Sequence, residues 1–227
     1  MIINKKFSYI TLPRVEINGF RHYTCPDGTN VPSVTTILSQ TKDTSGLDEW
    51  KSRVGEAEAD RIKNEASTLG TGIHNNLELH IMGKPMVGQY MTRALAGVIV
   101  KHGLSKIGEI WGSEVSLFSQ GLYAGTTDLV VLMKDGTPAI VDFKNSLSFK
   151  NTEWIDDYRA QLGAYSLAHN EMFGTDIRRG VLMIVTRDGK YQEFDFNGAE
   201  FDNCVEIWLE RLDQYLKLIK KTPSNKL

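Results

Sequence analysis

The sequence predicts an α/β fold in which a mixed sheet is flanked by helices and preceded by a β-hairpin and a helical elaboration. Three observations point to it. Apolar residues recur at helical spacing from about residue 47 to 103. Three strand-like runs then follow, 109–119, 125–133 and 138–144, with turn residues between the last two. After them come a helical stretch, two further strand-like runs and a closing amphipathic helix.

Taken in order, residues 7–24 read as strands, with Asn18-Gly19 as the primed-type turn of a hairpin. Pro26, Asp27 and Gly28 make another turn, and Ser33 suits the N-cap of a helix beginning at Val34. Within the long helical region, breaks are expected near 69–72 and 83–85, where glycine and proline gather. Residues 134–137 form the turn between the second and third core strands. A helix over 154–173, strands over 179–186 and 191–196, and a last helix with Phe201, Val205, Trp208, Leu212, Tyr215 and Leu216 on one stripe complete the pattern. The expected organisation is one domain over 1–227: a hairpin and helical, arch-forming region at 1–103, an α/β core at 104–219 and a frayed tail at 220–227.

Composition excludes several classes. Of 227 residues 41% are hydrophobic and 24% charged, which is enough apolar material for a core and too much for a disordered tail. The 26 Lys+Arg against 28 Asp+Glu leave a net charge of −2, so bulk charge does not drive binding to nucleic acid or acidic membranes. Cys25 and Cys204 are too few for a disulfide framework or a four-thiolate metal site. No run approaches the ~18 apolar residues of a membrane span, and residues 1–6 lack a signal-peptide pattern. A cytoplasmic protein that does not engage membranes is expected.

The chemistry-bearing stretch is Gly125-Thr126-Thr127-Asp128, a hairpin, and Asp142-Phe143-Lys144. Alternation along a strand puts Asp142 and Lys144 on one face. Asp128 joins them if the hairpin loop has three residues, 134–136 with Gly136 left-handed; a two-residue loop sets Asp128 opposite Phe143 and scatters the group. Two carboxylates converging beside an ammonium suit a hard cation such as Mg²⁺ or Mn²⁺, which takes oxygen ligands and polarises a phosphate. Lys144 is then placed to orient water or offset charge on phosphorus.

These residues resemble the metal motif of the PD-(D/E)XK nuclease superfamily, with Thr127 standing where the family name has proline. Gln161 and Tyr165 match the Gln-x-x-x-Tyr motif of its RecB-like exonuclease branch, and Gly70-Thr71-Gly72-Ile73-His74 matches that branch's Gly-Thr-x-x-His. Pro32 to Leu38, with Glu114 on the first core strand, is similar to the subgroup of mitochondrial genome maintenance exonuclease and its phage-encoded relatives. The resemblance implies a restriction-endonuclease-like core and a metal-dependent DNA exonuclease of phage or bacterial origin; the helical stretch 47–103, read as a cover or arch over the metal, adds the expectation that a single strand with a free end is preferred. The alternatives are a nuclease-fold binding module without catalysis and an endonuclease of the same superfamily.

The resemblance further implies roles. Asp128, Asp142, the Phe143 carbonyl and His74 would hold Mg²⁺ or Mn²⁺, with no iron–sulfur cluster. Lys144, Glu114, Gln161 and Tyr165 would serve catalysis, and Ser33, Thr35 and Arg159 would contact substrate. Single-stranded DNA is the implied partner, alongside a helicase, polymerase or single-strand-binding protein.

Overall fold

A computed structural model describes residues 2–221, apart from the side chains of Leu47 and Lys221. In chain order the elements are β1 (Ile2–Ile3), β2 (Arg14–Ile17), β3 (Phe20–Thr24), β4 (Asn30–Pro32), α1 (Val34–Gln40), α2 (Ser45–Val54), α3 (Glu56–Ile81), α4 (Tyr90–His102), β5 (Ile107–Ser119), β6 (Tyr123–Met133), β7 (Pro138–Ser146), α5 (Asp156–Phe173), β8 (Arg179–Thr186), β9 (Tyr191–Asn197) and α6 (Gly198–Lys221). Six strands form the main sheet in the order β1-β5-β6-β7-β8-β9, and β2-β3-β4 form a small second sheet. The meander β5-β6-β7 is antiparallel; α5 then carries the chain back so that β8 lies parallel to β7. This is the α/β class expected, a mixed sheet flanked by helices behind an N-terminal hairpin.

Helices cover both faces of the sheet, which explains why β7 and β8 read as unbroken apolar runs rather than alternating ones. On one face Ile140, Leu182 and Ile184 pack with Leu162, Trp208 and Ile37 of α5, α6 and α1. On the other, Val141, Val181 and Val185 pack with Ile73, Leu77 and Ile99 of α3 and α4. The hairpin turn has the expected primed geometry, with Asn18 at φ 53 and Gly19 at φ 78. Ser33 caps α1 by accepting from the Thr36 N–H.

Several expectations are corrected. Residues 7–13 are not strand, whereas β4 and the edge strand β1, paired parallel with β5, carry too few residues to show a period. No break falls at 69–72: α3 runs through it, and the break comes at Gly55, whose φ of 87 suits only glycine. Gly70 and Gly72 are there for close approach instead. A Cβ would sit 2.7 Å from Asn145 Oδ1 at the first and 2.6 Å from Thr92 Cγ2 at the second. The helical region is largely core, since α4 and the second half of α3 bury Leu77, Leu95 and Ile99; only α2 and the start of α3 stand free for a cover. Lys220 and Lys221 are helical, not frayed, and 222–227 lie outside the described residues. No helix among the described residues is long and apolar enough to cross a membrane.

His169 on α5 is fully buried. The Thr175 hydroxyl donates to Asn170 Oδ1 at 2.8 Å, so its oxygen accepts His169 Nδ1–H at 2.7 Å and Nε2 accepts from Tyr9 at 3.0 Å. This network holds the neutral ring, and burial, then the nearby Lys6 charge, pulls its pKa down to about 4. The unfolded chain, near 6.5, therefore binds the proton first as pH falls. Stability is fully present above about pH 6.5 and declines toward pH 4, by about 3 kcal/mol on the order of 1.4 kcal/mol per pH unit. Chemical denaturation at pH 7 and pH 4 should show this decline reduced in His169→Gln; equal declines in both proteins would remove the attribution.

Candidate functional site

The site begins at a fork between two strands. The turn after β6 has three residues: the Met133 N–H donates to the Thr137 carbonyl at 2.9 Å, and Gly136 is left-handed at φ 85. The ladder runs from Leu132↔Pro138 to Leu129↔Val141, which brings Asp128 level with Asp142. There the strands part. β7 continues beside β8 as far as Ser146↔Thr186, and β6 beside β5 as far as Tyr123. Asp128 fills the gap, its Oδ2 accepting the Phe143 N–H at 2.5 Å in place of a strand carbonyl. On the other side, Ser113↔Leu129 and Val115↔Thr127 set Glu114 level with Asp128, so three acids stand in a row across three strands. Glu114 has φ 50, a left-handed conformation that is uncommon outside glycine and clusters at functional positions.

His74 on α3 reaches this row, with Nδ1 3.2 Å from Asp128 Oδ1. One ligand atom each from His74, Glu114 and Asp128 lies within 4.8 Å of the others. Asp142 is turned toward Lys144, which pairs with its Oδ2, stands 3.4 Å from Gln161 Oε1 and lies 5.1 Å from the Tyr158 ring centre. Burial disfavours the Lys144 ammonium, but the Asp142 and Asp128 charges outweigh it and raise its pKa. Burial likewise lowers His74, and Asp128 more than restores it. For Asp128, burial is overcome by His74, Lys144 and the Phe143 N–H, so its pKa falls; for Asp142 burial prevails over Lys144 and its pKa rises. Burial pushes Tyr165 well up, and Gly125 leaves room for its ring, because a Cβ there would lie 2.6 Å from Tyr165 Cε1.

All these groups open on one cavity of about 200 Å³. Of the residues singled out in the sequence, it brings together Asp128, Asp142, Lys144, Glu114, His74, Gln161, Tyr165, Ser33 and Thr35. Arg159 is elsewhere: it pairs with Asp156 at 3.1 Å, bonds Asn203 and lies over the Phe196 ring, so α6 and not a substrate holds it. Phe143 presents its N–H to Asp128, and its buried ring stands edge-on to His74 at 6.0 Å. Sequence reading did not single out Arg14, Arg21 and Tyr23, which line the cavity from the hairpin. Their signal was the alternation of β2 and β3, which places Arg14 with Glu16, and Arg21 with Tyr23, on single strand faces. A larger groove of about 760 Å³ runs along α3, but its Arg61 is neutralised by Glu58 and Glu65 and it contains no comparable acid cluster.

No family model and no curated protein matches this chain. Among solved structures it is similar to the protein SSO0001, with TM-score 0.42 and 15% identity over 87% of this chain and 80% of that one. It is similar to a presumptive exonuclease of Eubacterium rectale at TM-score 0.42 and 14% identity, over 79% and 67% of the two chains. An alkaline exonuclease of Laribacter hongkongensis matches at TM-score 0.31 and 13% identity, over 64% and 79%. Likenesses this weak leave the chemistry to be argued from the residues.

Proposed function

We propose that this chain is a Mg²⁺- or Mn²⁺-dependent nuclease that hydrolyses phosphodiester bonds of DNA, acting as an exonuclease on single strands with a free end. One observation carries the reading: a single small cavity gathers carboxylates from three adjacent strands, an imidazole and a half-buried ammonium. The donor set fits such a cation, being hard carboxylate oxygens with one imidazole. Asp142 adds a further buried carboxylate beside this set, level with Asp128 in the ladder and paired with Lys144 through Oδ2. Asp128, Glu114, His74 and Asp142 would hold the ion. When bound, it supplies charge that polarises a phosphate and makes water more acidic.

The protein's own groups do the rest. Lys144, kept protonated by its two carboxylates, offsets negative charge on a phosphate entering the cavity and donates a hydrogen bond to it. Gln161 Oε1, 3.4 Å from Nζ, aims that ammonium. Tyr165, its pKa well raised, remains a neutral O–H donor at neutral pH. The cavity is too small for a duplex, whose major groove alone is about 12 Å wide, whereas a flexible strand can bring one phosphate inside and stack its bases outside.

Incubation with labelled DNA and Mn²⁺ tests this. Linear single strands should be degraded much faster than blunt duplex, and closed single-stranded circles hardly at all. A circle cut as fast as the linear strand would replace the exonuclease with an open-groove endonuclease; no cleavage of any DNA would leave a binding module.

A further inference from the structure

The cavity that holds the acids is also lined by two arginines. Arg14 and Arg21 line it from the hairpin, next to the hydroxyls of Ser33 and Thr35, which bond each other at 2.9 Å. Arg159, Arg178, Arg179 and Arg211 are each committed to carboxylates. Arg14 and Arg21 form no ion pair among the described residues. Arg14 makes a 3.5 Å contact with Thr126 Oγ1, stands 5.8 Å from the Tyr23 ring centre and is near enough to Glu114 for its charge to act on that carboxyl. Glu16 sits opposite Arg21 in the ladder, yet no pair closes between them.

The backbone beneath these guanidinium groups is fixed. The Arg21 carbonyl accepts from the Ser33 N–H at 2.9 Å and the Thr36 hydroxyl at 2.8 Å. Leu12, Tyr23, Cys25 and Val31 bury themselves with Ala124 of β6, and the Tyr23 hydroxyl bonds Thr126 at 3.2 Å. The small sheet is thus anchored to the strand that carries Asp128. Two guanidinium groups line a cavity beside a cation-seeking acid row, and neither closes an ion pair among the described residues, so both are free to take an anion that enters it. Guanidinium forks match phosphate oxygens in pairs.

We infer that Arg14 and Arg21, with the exposed Thr35 hydroxyl, form a phosphate subsite of this cavity, taking a phosphate of the DNA strand and setting its position relative to Lys144. This deepens the nuclease reading and rests on it for the identity of the strand; the subsite itself requires only a phosphate anion. Arg14 and Arg21 are positioning residues.

The test compares wild type, R14Q/R21Q and R14K/R21K. Binding of a labelled single-stranded oligonucleotide is measured by anisotropy in EDTA over a series of KCl concentrations. The Gln variant should bind about tenfold weaker per arginine lost. Its log Kd against log salt slope should flatten by about 0.7, the value for one single-strand phosphate contact. The Lys variant should keep the slope and lose part of the affinity. In parallel, millimolar inorganic phosphate at constant ionic strength should raise the melting temperature of wild type and not of the Gln variant. Unchanged slope and affinity in a folded R14Q/R21Q protein would overturn the subsite. If wild type bound no DNA, the nuclease reading would fail, and the phosphate melting shift would still decide for or against the subsite.

Discussion

Lys144→Ala is expected to lower DNA cleavage by about 10²–10³-fold or more, the scale seen when one aimed donor is taken from a developing charge, while the protein stays folded. The ammonium is half-buried, touches Asp142 and is aimed by Gln161. Its removal leaves a buried carboxyl without a counter-charge, but burial has already pushed that carboxyl's pKa up, so it can take a proton and limit the structural damage. Lys144→Met retains more of the side-chain volume and should be as inactive with a smaller loss of stability. Asp142→Ala should be equally inactive, because it removes an acid and releases Lys144 together. Gel assays under single-turnover conditions, beside circular dichroism of each variant, decide the matter. Activity within tenfold of wild type in any folded variant would sink the assigned role of its residue.

How much of this was legible beforehand follows from the range of the interactions. Local signals carried through: Asn18-Gly19 as a primed turn, Ser33 as a cap, and the strand containing Asp142 and Lys144 all follow from a few neighbouring residues. The relation of Asp128 to Asp142 depended on one loop residue, and Gly136 at φ 85 chose between two registers that the pattern alone left open. What escaped was long-range. Gly70 and Gly72 look like helix breakers until Asn145 and Thr92 are seen packed against them. Arg159 looks like a phosphate ligand until Asn203 and Asp156 claim it. Arg14 and Arg21 lie roughly 90–130 residues before the acids whose cavity they line, and folding of the small sheet onto β6 brings them there.

The acid row should make the folded protein a cation sensor. Glu114, Asp128 and Asp142 stand level across three strands, offset by His74, Lys144 and, at Glu114, Arg14. An ion bound by the folded state and not by the unfolded chain stabilises by about 2.7 kcal/mol at a hundredfold excess over its Kd. For a domain of this size that corresponds to a rise in melting temperature of roughly 5–10 °C. Asp128→Asn keeps the shape that accepts the Phe143 N–H but removes the charge at the centre of the row. It should lose both the Mn²⁺-dependent rise and cleavage, and melt lower than wild type in EDTA, since the charge that His74, Lys144 and the Phe143 N–H stabilise goes with it. His74→Ala should be milder, shifting the Mn²⁺ concentration at the midpoint while the three acids remain. Scanning fluorimetry of the three proteins across a Mn²⁺ series separates these outcomes. An equal rise in Asp128→Asn would place the cation elsewhere, and an unchanged midpoint in His74→Ala would return that histidine to a packing role against Phe143, whose ring it meets edge-on at 6.0 Å.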